Sequence, residues 1–133
     1  MRALGVDFGF ARIGLAVGES KLALAVRPAL KASGKLATDA KAIGDVARRE
    51  QATVVVVGVP LGGKDDRQAR ICRQLAGHIR DLAFEVIEVN EALSTVEAQS
   101  RLANTEWTAA QRRKAIDGQS ALIILERFFD EQS

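Results

Sequence analysis

Three acidic residues stand where the predicted elements would bring them together. Asp7 lies within the first predicted strand, Glu91 directly follows the last one, and Asp117 begins the apolar stripe of the final helix. Strands disfavour Asp, and a carboxylate on the packed face of a helix needs a partner. Converging carboxylates repel one another, and a divalent cation relieves that repulsion. Oxygen ligands favour Mg²⁺ or Mn²⁺ over zinc, and two such ions roughly 4 Å apart suit in-line cleavage of a phosphodiester.

The segment that carries Asp7 predicts a β-hairpin over residues 2–18 with two unlike faces. One face is fully apolar, and the other consists almost entirely of glycine and alanine, interrupted by Asp7 and, past the turn, Arg12. Glycine weakens a strand, so alternate glycines indicate that a packed helix, a ligand, or both approach the backbone closely. A simpler alternative for Asp7 is a hydrogen bond to the turn.

The rest of the chain predicts an α/β fold with strands and helices that alternate after the hairpin. A short third strand should end at Arg27-Pro28, and helix caps are predicted at Thr38 or Asp39 and, through a capping box with Glu97, at Ser94. This order predicts a mixed five-stranded sheet, three antiparallel strands then two parallel ones, with helices on both faces. The remaining strands are predicted at 22–26, 53–59 and 84–90, and the helices at 39–50, 67–82, 94–102 and from about Thr108 onward.

The composition is that of an ordinary globular chain. With 133 residues, 47% apolar and 27% charged, we expect one domain over residues 1–133. The net charge of +2 permits a polyanionic partner without requiring one. A single cysteine, Cys72, excludes an internal disulfide and is expected in the core. The absence of a secretory signal and of a long apolar run predicts a cytoplasmic protein that does not contact a membrane.

Four segments in order resemble the YqgF (RuvX) family of the RNase H-like superfamily, which is related to the RuvC resolvases. The segments are GVDFGFARIGLAVG, VVVVGVPL, NEALSTVEAQSRL and IDGQSALIILERFF, and they cover nearly the whole chain. The resemblance implies an RNase H-like fold and metal-dependent phosphodiester cleavage, in pre-16S rRNA processing or Holliday junction resolution. The acidic residues of the family fall on Asp7, Glu91 and Asp117, which would be both catalytic and metal-binding.

Two loops depart from the pattern of that family. The chain has Asn90-Glu91-Ala92 where the family usually has Asp-Glu-Arg, so a charge and an arginine are missing. The loop after the central strand begins Pro60-Leu61-Gly62, where the family usually has Pro-Leu-Asn. We therefore expect altered substrate contacts in these loops and less effect on metal binding.

Six further residues are candidates for substrate binding. Arg12 would contact a phosphate or form a surface salt bridge, and the sequence favours neither over the other. Lys64 and Arg67 stand at the mouth of the central strand, and Arg113 and Lys114 would steer a polyanion, although solvated charges are the alternative. The set is Gly9, Arg12, Lys64, Arg67, Arg113 and Lys114. Trp107 would stack on a base or anchor its loop, and His78 is assigned no catalytic or metal role.

The leading functional hypothesis is a nuclease that uses Mg²⁺ or Mn²⁺ and acts in 5′-end processing of pre-16S rRNA. The alternatives are a Holliday junction resolvase-like enzyme, a single-strand DNA or RNA nuclease, and a nucleic-acid-binding module without catalysis. The hairpin Asp7–Gly14 also resembles the phosphate loop of the actin and sugar-kinase group, but those ATPases need two such domains. The expected partner is nucleic acid, pre-rRNA or single-stranded or branched DNA, bound by a monomer or a homodimer.

Overall fold

The chain begins with three strands and then alternates helices with strands. The computed structural model describes residues 1–62 and 66–132, except for the side chain of Leu24. The strands are β1 (Arg2–Phe8), β2 (Arg12–Glu19), β3 (Leu22–Lys31), β4 (Val54–Val59) and β5 (Glu85–Asn90). The helices are α1 (Leu36–Arg49), α2 (Arg67–Arg80), α3 (Ser94–Leu102) and α4 (Ala109–Glu131). Within the described residues, no helix is long and apolar enough to cross a membrane.

Among the described residues, the five strands form one mixed sheet in the order β3-β2-β1-β4-β5. The pairs β1–β2 and β2–β3 are antiparallel, and β4 lies parallel to both β1 and β5. The predicted mixed sheet is therefore confirmed. The continuous run of valines fits β4, which is buried along its whole length between two parallel neighbours.

The two faces of the sheet are packed differently. The apolar face of β1 and β2, with Leu4, Val6 and Ile13 among its side chains, packs against α1 and α2. The opposite face offers small residues such as Ala3 and Ala16 and packs against α4, through Leu125 and its neighbours. Helices thus cover both faces, as the hairpin and the helical stripes predicted.

Glycines on the second face let α4 approach the strands closely. A Cβ atom on Gly5 would lie 2.8 Å from the carbonyl oxygen of Ala121, and one on Gly14 would collide with the backbone of Asp117. Because backbone cannot move aside as a side-chain end can, only glycine is compatible with this helix position. The close approach indicated by the alternate glycines is therefore made, at these positions, by a packed helix.

The third strand is longer than predicted. β3 continues through Pro28 to Lys31, where the sequence predicted an end at Arg27-Pro28. Its register against β2 shifts between the pairs Ile13–Leu30 and Leu15–Arg27, so the proline falls in a bulge. β3 is also an edge strand, and an edge or a bulge tolerates a residue without an N–H donor.

Two predicted helix caps are wrong. The first residue of α3 is Ser94 itself, and Leu93 stands at the N-cap with φ of 64° and no side-chain cap. α1 begins at Leu36, ahead of Thr38 and Asp39. A tight turn precedes α3, where the backbone N–H of Ser94 donates to the carbonyl of Glu91. Ahead of α1, the Asp39 side chain accepts from the backbone N–H of Ser33 and ties the preceding segment to the first turn of the helix. A capping box does occur at the start of α4, where Thr108 and Gln111 exchange hydrogen bonds.

Candidate active site

Asp7 and Glu91 lie at the same edge of the sheet. Asp7 is the penultimate residue of β1, and Glu91 follows β5, where its backbone N–H donates to the carbonyl of Val59 over 3.0 Å. Because β1, β4 and β5 run parallel, these positions meet at the carboxyl ends of the strands, the usual place for a site in an open α/β sheet. Gly58 on β4 gives the Glu91 side chain room, since a Cβ there would lie 2.8 Å from Glu91 Oε2.

Asp117 reaches this edge from α4. In the β1–β2 ladder Asp7 stands opposite Gly14, and the backbone of Asp117 rests directly on Gly14. Gly14 therefore determines how closely α4 packs on the sheet at Asp117. Asp7, Glu91 and Asp117 all line one open cleft of about 470 Å³. Its walls also contain Phe8, Gly9, Pro60, Gln68 and residues 92–96.

The two sheet carboxyl groups are hydrogen-bonded to each other. Glu91 is only 8% exposed, and burial raises its pKa to about 9, with the hydrogen bond and negative charge of Asp7 acting in the same direction. Burial also raises the pKa of Asp7; the charge of Asp117 adds to this, while the hydrogen bond from Glu91 opposes it. Burial and mutual proximity thus disfavour ionisation of both carboxyl groups at once.

The third carboxylate is held in another way. Arg12 Nε donates to Asp117 Oδ2 over 2.7 Å, and the Arg12 side chain is 58% exposed. Among residues 1–62 and 66–132, no three Asp, Glu, His or Cys side chains form a ready-made metal site. The predicted acids therefore line one cleft, and Asp117 is paired there with a guanidinium.

The predicted substrate-binding residues separate into distinct places. Gly9 lines the cleft, and Arg12 bonds Asp117 at its margin. Arg67 is the exposed first residue of α2 and is not among the residues that line the cleft. Arg113 and Lys114 diverge on α4: the first faces a cavity shared with α3, and the second faces the β3 side. Lys64 lies outside the described residues.

Two neighbours of the acids were not predicted. Arg127 Nη1 donates to the carbonyls of Asn90 and Ala92, at 3.0 and 2.9 Å, so α4 clamps the backbone on both sides of Glu91. Gln68 Nε2 donates to the carbonyl of Phe8 over 3.3 Å. Arg127 follows the buried Ile124 by three residues on α4. This helical spacing places Arg127 beside the packed face of the helix and could have indicated its role from the sequence.

The loop that departs from the family pattern is internally bonded. Asn90 Oδ1 accepts from the backbone N–H of Ala92 over 2.9 Å and from that of Leu61 over 3.3 Å. The Asn90 side chain thus joins the loop after β4 to the loop after β5. Together with Arg127, it keeps Glu91 in place although the residue at 92 is alanine.

Solved structures define the class of fold. The chain matches T. thermophilus RuvC in complex with a Holliday junction substrate with a TM-score of 0.61 and 16% identity, covering 99% of this chain and 95% of the other. It matches the Fowlpox virus resolvase, also solved with Holliday junction DNA, with a TM-score of 0.62 and 14% identity, covering 99% of each chain. At these identities the likeness concerns the fold, which is RNase H-like.

Sequence comparison defines the family. The family model described as "RuvX: Holliday junction resolvase" matches residues 1–131, and the chain belongs to this family. A relative from Anaeromyxobacter sp. (strain K) is 36% identical over 100% of this chain and 99% of its own length. One from Synechococcus sp. (strain JA-3-3Ab) is 37% identical over 98% of this chain and 84% of its own length. Both relatives carry the name "Putative pre-16S rRNA nuclease".

Proposed function

We propose that this protein is a divalent-metal-dependent nuclease that hydrolyses phosphodiester bonds in nucleic acid. The observation that carries the proposal is the cleft at the carboxyl ends of β1 and β5, where Asp7, Glu91 and Asp117 line one open space. The cleft is open rather than enclosed, and a polymer could therefore enter it from the side. Membership of the RuvX family supports the same reaction class.

The donor set fits a hard divalent cation. Burial and the proximity of Asp7 and Glu91 raise the pKa of both, and a bound cation would offset the repulsion between their ionised forms. Mg²⁺ or Mn²⁺ would be held by Asp7, Glu91 and Asp117, and would supply activation of water and stabilisation of the leaving oxygen. Arg12 engages Asp117 Oδ2, so Asp117 would contribute through Oδ1, or through both oxygens once Arg12 is released.

The remaining residues of the cleft position these groups. Arg127 and Asn90 fix the backbone on either side of Glu91. The positive charge of Arg127 also keeps the pKa of Glu91 lower than burial alone would. Arg12, once released from Asp117, would present its guanidinium to a phosphate at the rim. Gly9, whose backbone N–H is bonded to the carbonyl of Arg12, leaves the floor of the cleft free of a side chain.

We infer that the substrate is the pre-16S rRNA, with cleavage in 5′-end processing. The two named relatives support this substrate, and the second candidate is branched DNA, favoured by the two resolvases with which the fold is shared. Trimming one RNA strand needs one active site, whereas resolution of a junction needs two acting as a dimer. Single-stranded DNA is the third substrate class to be compared.

Cleavage of labelled substrates tests the proposal. Single-stranded RNA, single-stranded DNA, duplex and four-way junction are each incubated with Mg²⁺, Mn²⁺ or EDTA, using wild type, Asp7→Asn and the control Asp130→Asn. Asp130 is exposed at the end of α4, outside the cleft, and receives the same chemical change. We expect metal-dependent cleavage that is lost only in Asp7→Asn. Wild-type cleavage by Asp7→Asn would refute the assignment, and binding without cleavage would leave a nucleic-acid-binding module.

A further inference from the structure

A groove separate from the acidic cleft runs between β3 and the first half of α4. Its volume is about 590 Å³, and a smaller hollow of about 380 Å³ adjoins it through Trp107, Lys114 and Ala115. The walls combine apolar and cationic side chains, and no acidic residue lines the described part of the groove. The lining residues are Arg12, Val26, Arg27, Pro28, Ala29, Trp107, Lys114, Ala115, Gly118 and Gln119.

Trp107 is held at this groove without being buried in it. Its backbone carbonyl accepts from Arg112 Nη1 over 2.5 Å, and the Thr108–Gln111 capping box fixes the residue after it. The residue before an N-cap often packs on the fourth helical residue, but here that residue is Arg112. The side chain stays 46% exposed, and its indole N–H has no hydrogen-bond partner in the described parts of the chain. The indole is therefore positioned by the backbone and available to a ligand.

The charges of the groove favour an anionic ligand. Arg27 is paired with Glu50, at 2.9 Å between Nε and Oε2, and Arg12 with Asp117. Lys114 is exposed and forms no ion pair with any described residue. One unpaired ammonium therefore stands beside an available aromatic plane, with apolar walls around both. An aromatic base attached to a phosphate matches this pairing of features.

We propose that the groove between β3 and α4 is a binding subsite for single-stranded nucleic acid, in which an unpaired base stacks on Trp107 and the adjoining phosphate lies near Lys114. Stacking on an exposed indole requires a base freed from its pair, so a continuous duplex does not fit. Arg12 lines the groove and also bonds Asp117, which lines the cleft. The subsite thus leads a strand toward the carboxylates, and in this respect it rests on the proposed nuclease function.

A second copy of this chain is the competing occupant. β3 is an edge strand, and Leu22 and Val26 on it are 63% and 43% exposed. Pro28 and the bulge interrupt the edge over the stretch that lines the groove, and both features discourage the addition of another strand. The single-stranded ligand is therefore favoured, and self-association is an outcome that the experiment must detect.

Intrinsic fluorescence tests the subsite without any catalysis. Trp107 is the only tryptophan and the chain has no tyrosine, so the whole indole signal comes from this groove. Wild type and Asp7→Asn are titrated in EDTA with single-stranded RNA, single-stranded DNA and a blunt duplex. We expect saturable quenching by the single strands, weakened by salt, and little quenching by the duplex. Absence of quenching by single strands that bind by anisotropy overturns the proposal.

Variants separate stacking from general charge attraction. Anisotropy of a labelled single strand should show that Trp107→Leu weakens binding by roughly 5- to 150-fold, with Trp107→Phe in between. Lys114→Gln should lower the salt dependence of binding by about one phosphate contact. The control Lys41→Gln makes the same change at an exposed residue of α1, which lies on the opposite face of the sheet from α4. This variant should bind as wild type does. Circular dichroism verifies that each variant is folded.

The outcomes distinguish this proposal from the proposed function. Loss of cleavage in all conditions with intact Trp107 quenching would refute the nuclease and leave the subsite standing. Wild-type strand affinity and KM in Trp107→Leu would refute the subsite and leave the nuclease standing. Fluorescence that changes with protein concentration alone, together with a dimer in sedimentation, would assign the groove to a second copy instead.

Discussion

The two ends of the acidic cleft neutralise their carboxylates in different ways. At the sheet end, Asp7 and Glu91 share a hydrogen bond under burial that raises the pKa of both. At the helix end, Asp117 is bonded to the exposed guanidinium of Arg12. On the proposed function, a cation at the sheet end would compete with a proton, whereas a cation on Asp117 Oδ2 would compete with Arg12. We therefore expect cation binding at the sheet end to depend on pH, and cation binding at the helix end to depend on Arg12.

The ends also differ in what fixes them. Asp117 is placed by backbone resting on backbone, since α4 lies directly on Gly14. Glu91 is placed by a loop that Arg127 and Asn90 brace, and the atoms above Gly58 are the ends of the Glu91 and Ile124 side chains. Backbone contacts cannot adjust to an added methyl group, while side-chain ends can. Alanine substitution at the two glycines should therefore have unequal consequences.

The largest effect is expected from Gly14→Ala. The new methyl group would collide with the carbonyl of Asp117, so α4 has to move, and we expect a loss of about 3 kcal/mol in the free energy of unfolding together with loss of cleavage. Gly58→Ala should cost about 1 kcal/mol, because side-chain ends yield, but should still disturb Glu91. Urea denaturation measures both values.

Gly77→Ala is the matched control for these two variants. Nothing lies within 4 Å of a Cβ added at Gly77 in α2, so this substitution should stabilise the protein by about 1 kcal/mol through helix propensity. Equal losses in Gly14→Ala and Gly58→Ala would contradict the distinction between a backbone-fixed and a side-chain-fixed end.

The contrast also marks what the sequence could predict. The alternation of small residues around Asp7 predicted a close approach, and the apolar stripe that begins at Asp117 predicted the helix that makes it. Both patterns are periodic and local. The Arg12–Asp117 pair joins residues 105 positions apart, and nothing local chooses between a salt bridge and a phosphate contact for such an arginine. The same holds for Arg127, whose backbone partners lie 35 and 37 positions away.

Cap prediction failed for a related reason. The Ser94–Glu97 spacing matches a capping box, but the turn after β5 puts Leu93 in the left-handed region and starts the helix at Ser94. A local motif was overridden by the need to return the chain from the sheet edge across Glu91. Thr108 and Gln111, which do form the box, begin a helix after a polar connection without such a constraint.

A smaller effect should appear in the pH dependence of stability without metal. A carboxyl group whose pKa is raised on folding stabilises the folded state fully below its unfolded value, and this contribution is lost as pH rises through the folded value. The melting temperature in EDTA should therefore fall as pH increases from about 5 to about 9, the range set by Glu91. Glu91→Gln should flatten this decline and melt higher at alkaline pH, measured by differential scanning fluorimetry.

Glu131→Gln provides the control for that measurement. Glu131 is exposed at the end of α4, and its substitution should leave the wild-type decline unchanged. A decline of the same slope in Glu91→Gln would mean that the sheet end carries no shared proton. Saturating Mg²⁺ should also reduce the decline in wild type, because a cation would stabilise the ionised pair.

The smallest effect is expected at the helix end, from Arg12→Gln. Removal of the guanidinium frees Asp117 Oδ2 for a cation, so Mn²⁺ binding measured by calorimetry should tighten severalfold. The melting temperature should change little, because the Arg12 side chain is exposed. The control Arg49→Gln removes an equal positive charge at an exposed residue of α1. It measures how much the change in net charge alone strengthens Mn²⁺ binding.

Arg12→Gln should also weaken binding of single-stranded nucleic acid, since Arg12 lines the groove between β3 and α4. Metal binding and strand binding would then move in opposite directions on one substitution. Weaker binding of both would mean that Arg12 supports the carboxylates rather than competing for Asp117. Unchanged Mn²⁺ affinity would mean that Arg12 does not compete with the cation for Asp117.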